Sequence, residues 1–157
     1  MTTSEALAQA EAEREKLERN KAVVRKYLKS VEAFDLEAIG ECLADNVVQH
    51  YVAPSYHNDD GNHGTPTIAS REAIVDEIRT CFHDVLYRKG TVTVEIQSVI
   101  AEGDFVDCRF ILDAMTVRAN EHYRNYYNFF YRCEDGKVAE YWEYLDSKYA
   151  SKLLWNE

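Results

Sequence analysis

The chain has 157 residues, of which 29% are charged, and its 28 acidic residues outnumber 18 basic ones for a formal net charge of −10. A chain of this length can bury its own hydrophobic core, so we expect one domain over residues 1–157. The negative charge argues against a nucleic-acid backbone or an anionic membrane surface as a partner.

Cysteine use and hydropathy indicate the compartment. The four cysteines, Cys42, Cys81, Cys108 and Cys133, are widely spaced and form no CxxC pair. The sequence shows no signal peptide, and no apolar run approaches the roughly 20 residues of a membrane-spanning helix. We therefore expect free thiols and a cytoplasmic location.

The first predicted element is a long helix that Ser4 can cap. Residues 5–20 are almost all good helix formers with a thin apolar stripe, which predicts that residues 1–19 form a solvated helical extension. A partner-binding arm is the alternative for this segment. The second half of this helix is predicted to pack on the body of the domain, because it has five apolar residues at helical spacing: Val23, Val24, Tyr27, Leu28 and Val31.

Asp35 begins a second, short helix, and residues 47–51 are predicted as a strand. Residues 53–66 contain both prolines and are predicted as an extended loop. Four side chains in this loop raise the question of a metal site: His57, Asp59, Asp60 and His63. They lack the rigid spacing of ligand pairs on a helix, so a solvated lid is favoured. Ser70 can cap a third helix over residues 71–87.

From Thr91 the hydrophobic period changes to two, which predicts strands over residues 91–102 and 105–115. Helices followed by an antiparallel meander indicate an α+β fold in which the helices cover one face of a curved sheet. Asp107 and Arg109 share one face of the second strand. They form either an exposed charge network or a polar end to a pocket.

Two aromatic runs around Asp135-Gly136 predict a β-hairpin over residues 123–146. A two-residue turn would place Cys133 opposite Val138, whereas a type I turn with Gly136 as a bulge would place Cys133 opposite Lys137. We favour the bulged turn, because it gathers the less charged side chains on one face, the expected core or pocket face. That face holds Tyr123, Asn125, Tyr127, Phe129, Tyr131, Ala139, Tyr141, Glu143 and Leu145.

The run Tyr123-x-Asn125-x-Tyr127, followed by Glu134-Asp135-Gly136-Lys137-Val138 and Glu143-Tyr144-x-Asp146, resembles the SnoaL-like branch of the nuclear transport factor 2-like superfamily. This superfamily includes ketosteroid isomerase, limonene epoxide hydrolase and polyketide cyclases. The resemblance implies a cystatin-like cone whose curved antiparallel sheet wraps around the N-terminal helices and encloses an apolar pocket. It also implies a homodimer through the outer sheet face and chemistry without a metal or organic cofactor. Many relatives carry a carboxylate near the position of Arg109, which is a departure from the pattern.

In this superfamily one pocket carboxylate or histidine moves a proton, and Glu143 matches such a carboxylate on the last strand. Burial among tyrosines would raise its pKa towards neutrality and suit it to acid/base work. The alternative is a hydrogen bond between Asn125 and Glu143 that stabilises the hairpin and has no role in chemistry. The candidate catalytic residues are Glu143, Asn125, Tyr127 and Tyr141, and the candidate substrate-binding residues are His50, Tyr51, Tyr123, Phe129, Arg109 and Asp107.

The resemblance favours a cofactor-independent isomerase, cyclase, dehydratase or hydrolase. Its substrate would be a small apolar oxygenated molecule such as a polyketide, terpenoid or steroid-like compound. A non-catalytic module that binds a hydrophobic ligand is the first alternative. An interaction protein that uses the N-terminal helical arm is the second.

Overall fold

The computed structural model describes residues 2–51 and 67–155 and has the α+β order expected from the sequence. Its helices are α1 Thr3–Ala33, α2 Leu36–Cys42, α3 Arg71–Cys81 and α4 Ser147–Ala150, with π-helical turns at Phe82–Leu86 and Ser151–Trp155. Its strands are β1 Leu43–Tyr51, β2 Thr67–Ala69, β3 Thr93–Glu102, β4 Phe105–Met115, β5 His122–Glu134 and β6 Lys137–Leu145. They form one curved sheet in the order β2-β1-β6-β5-β4-β3.

The sheet is mixed, which differs from the antiparallel sheet expected. Strands β3 to β6 form the expected antiparallel meander. Strand β1, however, pairs with β6 in parallel. No tight turn joins these two strands, because α3 and the first three strands of the meander lie between them in the chain. Their relative direction is therefore free to follow the packing of the helices.

Two helix boundaries differ from the prediction. Helix α1 is capped by Thr2 rather than Ser4, because Thr2 and Glu5 form a reciprocal capping box. Helix α3 begins at its expected cap, Ser70, but ends at Cys81. Tyr87 is extended and pairs with Thr116, so the chain leaves the helical conformation through the π-helical turn before that point.

The two halves of α1 have different surroundings. Residues 2–15 are exposed, whereas Val24, Tyr27 and Leu28 are fully buried against the sheet. The assignment of residues 1–19 to a solvated extension of a single domain stays a prediction. Among the described helices, none is both long enough and apolar enough to cross a bilayer.

The turn of the β5–β6 hairpin corrects the sequence prediction. Glu134 pairs with Lys137 and Cys133 with Val138, so the loop has two residues rather than a bulge at Gly136. Asp135 and Gly136 have φ values of 50° and 75°. Positive φ at both central positions is the geometry of a type I′ turn, whose twist matches that of the strands it joins.

A bulge inside β6 reverses the effect of this turn on the register. The pairing shifts after Cys133, and Arg132 lies opposite Glu140, which leaves Ala139 as the extra residue. Val138 and Ala139 are accordingly both buried, although they are consecutive. Beyond the bulge, Tyr131 pairs with Tyr141 and Phe129 with Glu143. The predicted grouping of side chains on one face is therefore present, with partners displaced by two residues.

Candidate functional site

A cavity of about 140 Å³ lies between the inner face of the sheet, α1 and α3. Its wall is mainly apolar and includes the aromatic side chains of Tyr27, Phe82, Tyr87, Phe110, Tyr127 and Phe129. Four polar side chains also line it: Gln49, Tyr51, Glu77 and Glu143. An apolar cavity of roughly 150 Å³ holds a benzene molecule, so this one has room for a single small ring.

Glu143 extends from β6 into this cavity. It pairs with Phe129 of β5 on one side and with Tyr51 of β1 on the other. The amide of Gln49 donates a hydrogen bond of 2.6 Å to Glu143 Oε1. Glu143 is half-buried, and it lines the cavity.

The pKa of Glu143 is raised to about 8, chiefly because burial disfavours the ionised carboxylate. The hydrogen bond from Gln49 opposes this shift, while the negative charge of Glu77 adds to it. At neutral pH Glu143 therefore holds a proton that it can release to a ligand. This agrees with the expectation for a carboxyl group among aromatic side chains.

Tyr51 links a second carboxylate to the cavity. Its hydroxyl donates to Glu77 Oε1 over 3.2 Å. Burial, and then the charges of Glu143 and Glu77, raise the pKa of Tyr51, so its hydroxyl remains a donor at neutral pH. Tyr51 was expected at the pocket, and it lines the cavity.

Glu77 and Gln49 are polar residues of the cavity that were not predicted from the sequence. Glu77 lies three residues after buried Ile74 and one before Ile78, and both Glu77 and Ile78 line the cavity. An acidic residue beside the apolar stripe of α3 was the available signal. For Gln49 the signal was its alternation with buried Val47 on β1.

Tyr127 lines the cavity and belongs to a chain of buried polar contacts. Its hydroxyl is hydrogen-bonded to that of Tyr123 at 2.7 Å and to that of Tyr87 at 3.3 Å. The buried amide of Asn125 donates to the Tyr123 hydroxyl at 2.8 Å and to the carbonyl of Asp146 at 3.1 Å. Asn125 and Tyr123 thus lie one layer behind the cavity wall and support Tyr127. The alternative hydrogen bond between Glu143 and Asn125 is not formed. Glu143 accepts from Gln49 instead, and Asn125 donates to Tyr123.

Tyr141 has a similar supporting place. It is fully buried, and its hydroxyl is hydrogen-bonded at 2.9 Å to that of Tyr27, which lines the cavity. Of the four candidate catalytic residues, Glu143 and Tyr127 therefore face the cavity, whereas Asn125 and Tyr141 stand behind it. Phe129 also lines the cavity, as expected for a substrate-binding residue.

His50 lies on the opposite side of the sheet, which corrects its expected place at the pocket. Gln49 and Tyr51 face the cavity, so the alternation of strand β1 turns His50 outwards. Its ring stacks on Trp142, with centroids 4.9 Å apart, and Nε2 lies 2.8 Å from Glu140 Oε1.

Asp107 and Arg109 are corrected in the same way. Strand β4 turns Phe110 and Leu112 towards the cavity, so Asp107 and Arg109 point away from it. Asp107 accepts a 2.8 Å hydrogen bond from Asn128, and the Arg109 guanidinium lies 5.9 Å from the ring centre of Tyr126. Asp107 and Arg109 therefore make polar contacts on the outer face of the sheet rather than at the cavity.

One of the four thiols, that of Cys81, also lines the cavity, whereas Cys108 and Cys133 lie outside its wall. All four cysteines are free, and burial raises the pKa values of Cys108 and Cys133 to about 12. Within residues 2–51 and 67–155, no three metal-binding side chains are grouped so as to hold an ion. The loop residues considered for a lid or a metal site, His57, Asp59, Asp60 and His63, lie outside the described residues.

Solved structures share this architecture. A candidate isomerase from Bacillus subtilis superimposes with a TM-score of 0.71 at 17% identity, covering 90% of this chain and 96% of that one. IdmH, a candidate polyketide cyclase from Streptomyces antibioticus, superimposes with a TM-score of 0.67 at 18% identity, covering 86% of this chain and 97% of that one. A nuclear-transport-factor-2-like protein of unknown function from Burkholderia pseudomallei has a TM-score of 0.70 at 16% identity, covering 87% of this chain and 97% of that one. At these identities the likeness shows the cone fold alone.

Comparison with curated proteins returns no match. The family model of the SnoaL-like domain, by contrast, matches residues 24–141. This range includes α2, α3 and the first five strands completely, together with the packed half of α1. The chain therefore belongs to the SnoaL-like domain family.

Proposed function

We propose that this protein is a cofactor-independent enzyme in which Glu143 moves a proton on a small apolar oxygenated molecule. The observation that carries this proposal is a carboxyl group with a pKa of about 8 inside an aromatic cavity. A group of this kind exchanges protons most effectively near neutral pH. The fold likeness to a candidate polyketide cyclase and a candidate isomerase supports chemistry of the cyclase or isomerase type.

The cavity suggests the order of proton movements. Protonated Glu143 donates to a substrate oxygen, and charge then develops on the carboxylate that Gln49 already contacts. The carboxylate takes a proton back when the product forms, which restores the starting state. Tyr51 and Tyr127 lie in the same wall and orient the substrate. Proton donation and return by one group serve isomerisation, cyclisation, dehydration and hydrolysis alike.

Glu143→Gln is expected to lower turnover of an identified substrate by about a hundredfold or more, the usual contribution of acid/base catalysis. The amide has nearly the same shape but cannot donate and recover a proton. Steady-state kinetics measure the effect, with Glu140→Gln on the outer face of the same strand as the control. Full turnover by the Glu143 variant would refute the proposal.

The aromatic wall also supports a second candidate function, a non-catalytic module that holds a hydrophobic ligand. In that case a bound compound raises the thermal stability of the wild type and of Glu143→Gln equally, and it is recovered unchanged. Mass spectrometry of compounds that co-purify with the protein separates the two functions. An enzyme yields a substrate and a product, whereas a binding module yields one compound.

We also propose that two chains pair through the outer face of the sheet. Tyr126 and Tyr144 are about half exposed there, beside arginines and acidic residues such as Arg124 and Asp113. A two-fold axis would bring these opposite charges together across the interface and cover the aromatic rings. Sedimentation should show a dimer that Tyr126→Glu disrupts and that Leu7→Glu, on the exposed part of α1, leaves intact. A wild-type monomer at micromolar concentration would contradict this.

A further inference from the structure

Glu77 is an acidic side chain of the cavity for which the proton transfer described above has no use. It reaches the cavity from α3, whereas Glu143 reaches it from β6. Two of its neighbours on the helix are apolar and face inwards: Ile74 is fully buried and Ile78 lines the cavity. A carboxylate in such a place loses hydration, so its presence calls for compensating contacts.

Strand β1 supplies these contacts, one to each carboxyl group. Gln49 donates to Glu143, and Tyr51, two residues later on the same face, donates to Glu77. Tyr51 also lies directly beside Glu143 in the parallel pairing of β1 with β6. The two carboxyl groups are therefore both contacted from one strand, at a cavity with room for a single small ring.

Within residues 2–51 and 67–155, few titratable groups act on Glu143. Titratable groups face it from each neighbouring element: Tyr27 of α1, Tyr51 of β1, Glu77 of α3, Tyr87 after the π-helical turn, Tyr131 of β5 and Tyr141 of β6. Burial raises the pKa of each of these tyrosines, so they are neutral at physiological pH. Among these groups, Glu77 is the one whose charge acts on Glu143.

We propose that Glu77 is a positioning residue that forms a coupled pair with Glu143, adds to the effect of burial in keeping the proton on Glu143, and holds the Tyr51 hydroxyl in place. This inference rests on the proposed function, in which Glu143 carries the proton. Two carboxylates in one poorly solvated cavity repel each other, so one of them retains a proton. The two carboxyl groups have different hydrogen-bond donors, since Gln49 donates to Glu143 and Tyr51 donates to Glu77. The result is an acid that is already protonated when a ligand enters.

The coupling can be measured without a substrate. In protein labelled with carbon-13 at the glutamate carboxyl groups, NMR follows each group over about pH 4 to 10, and the signal missing in Glu143→Gln identifies Glu143. Glu77→Gln should move the Glu143 midpoint, near 8 in the wild type, towards acidic pH. Glu77→Asp keeps the charge and should keep a raised midpoint. Glu72→Gln, an exposed position on the same helix, should leave it unchanged.

An unchanged Glu143 midpoint in Glu77→Gln overturns the pair. The pair is also overturned if the Glu143 midpoint moves as far in Glu77→Asp as in Glu77→Gln, because that result would indicate a loss of packing rather than of charge. Thermal unfolding checks that each variant is folded, and Glu77→Ala replaces the glutamine variant if that one fails. Failure of the proposed function gives a different result, namely full turnover by Glu143→Gln while the Glu77 variants still shift the midpoint.

Discussion

Raising the pH from about 5 to 8 is expected to destabilise the folded protein through Glu143, and Glu143→Gln is expected to abolish that loss. The folded-state pKa of Glu143 is about 8, above its ordinary value of 4.5. Between these two values the folded state keeps a proton that the unfolded chain releases. The free energy of unfolding therefore falls as the pH rises through this window. Each pKa unit corresponds to about 1.4 kcal/mol, so the total loss is about 3 to 5 kcal/mol.

Urea unfolding of the wild type and Glu143→Gln at a series of pH values measures this effect. The variant should gain stability relative to the wild type as the pH rises, and the gain should level off above the folded-state pKa. Glu140→Gln is the matched control on the same strand. Burial of Glu140 tends to raise its pKa, but hydrogen bonds from His50 and Arg132 outweigh burial and lower the pKa. The pH range over which Glu140 changes the free energy of unfolding therefore lies below pH 4.5. A constant difference between wild type and Glu143→Gln would show that Glu143 titrates normally.

The hairpin shows how far local sequence determines a face of the sheet. Alternation of aromatic and polar residues along β5 and β6 correctly predicted which side chains share the cavity side. The turn was predicted wrongly, since Asp135-Gly136 forms a two-residue loop. The bulge at Ala139 moves the pairing by one further residue and restores the faces. Nothing in the sequence marks Ala139, because a bulge there depends on packing against α1 and α2.

The depth of a side chain was harder to predict than its face. Asn125, Tyr123 and Tyr141 lie on the inner face as expected, but the cavity ends before it reaches them. Where it ends depends on how α1 and the π-helical turn pack on the sheet, which strand periodicity does not contain. Glu77 was missed for a related reason. A glutamate on a helix usually faces water, but Tyr51 approaches Glu77 and gives it an inner partner.

Asn125→Ala is expected to destabilise the protein by about 2 to 4 kcal/mol. The buried amide is the donor to both the Tyr123 hydroxyl and the Asp146 carbonyl. Alanine removes both hydrogen bonds, at about 0.5 to 1.5 kcal/mol each, although the Tyr123 hydroxyl keeps its contact with Tyr127 and the Asp146 carbonyl keeps its bond from Ala150. It also leaves a small void beside Tyr123. Urea unfolding near neutral pH measures the loss.

Asn128→Ala provides the matched control, because Asn128 lies on the same strand but faces outwards and donates one hydrogen bond, to Asp107. We expect it to lower stability by about 1 kcal/mol or less. If Asn125 only supports the wall, the folded Asn125 variant keeps turnover within about threefold of the wild type, since Tyr127 still contacts Tyr87. A stable Asn125→Ala protein with a loss of about a hundredfold would instead mean that the amide reaches the substrate, and the cavity would have to extend behind Tyr127 when a ligand binds.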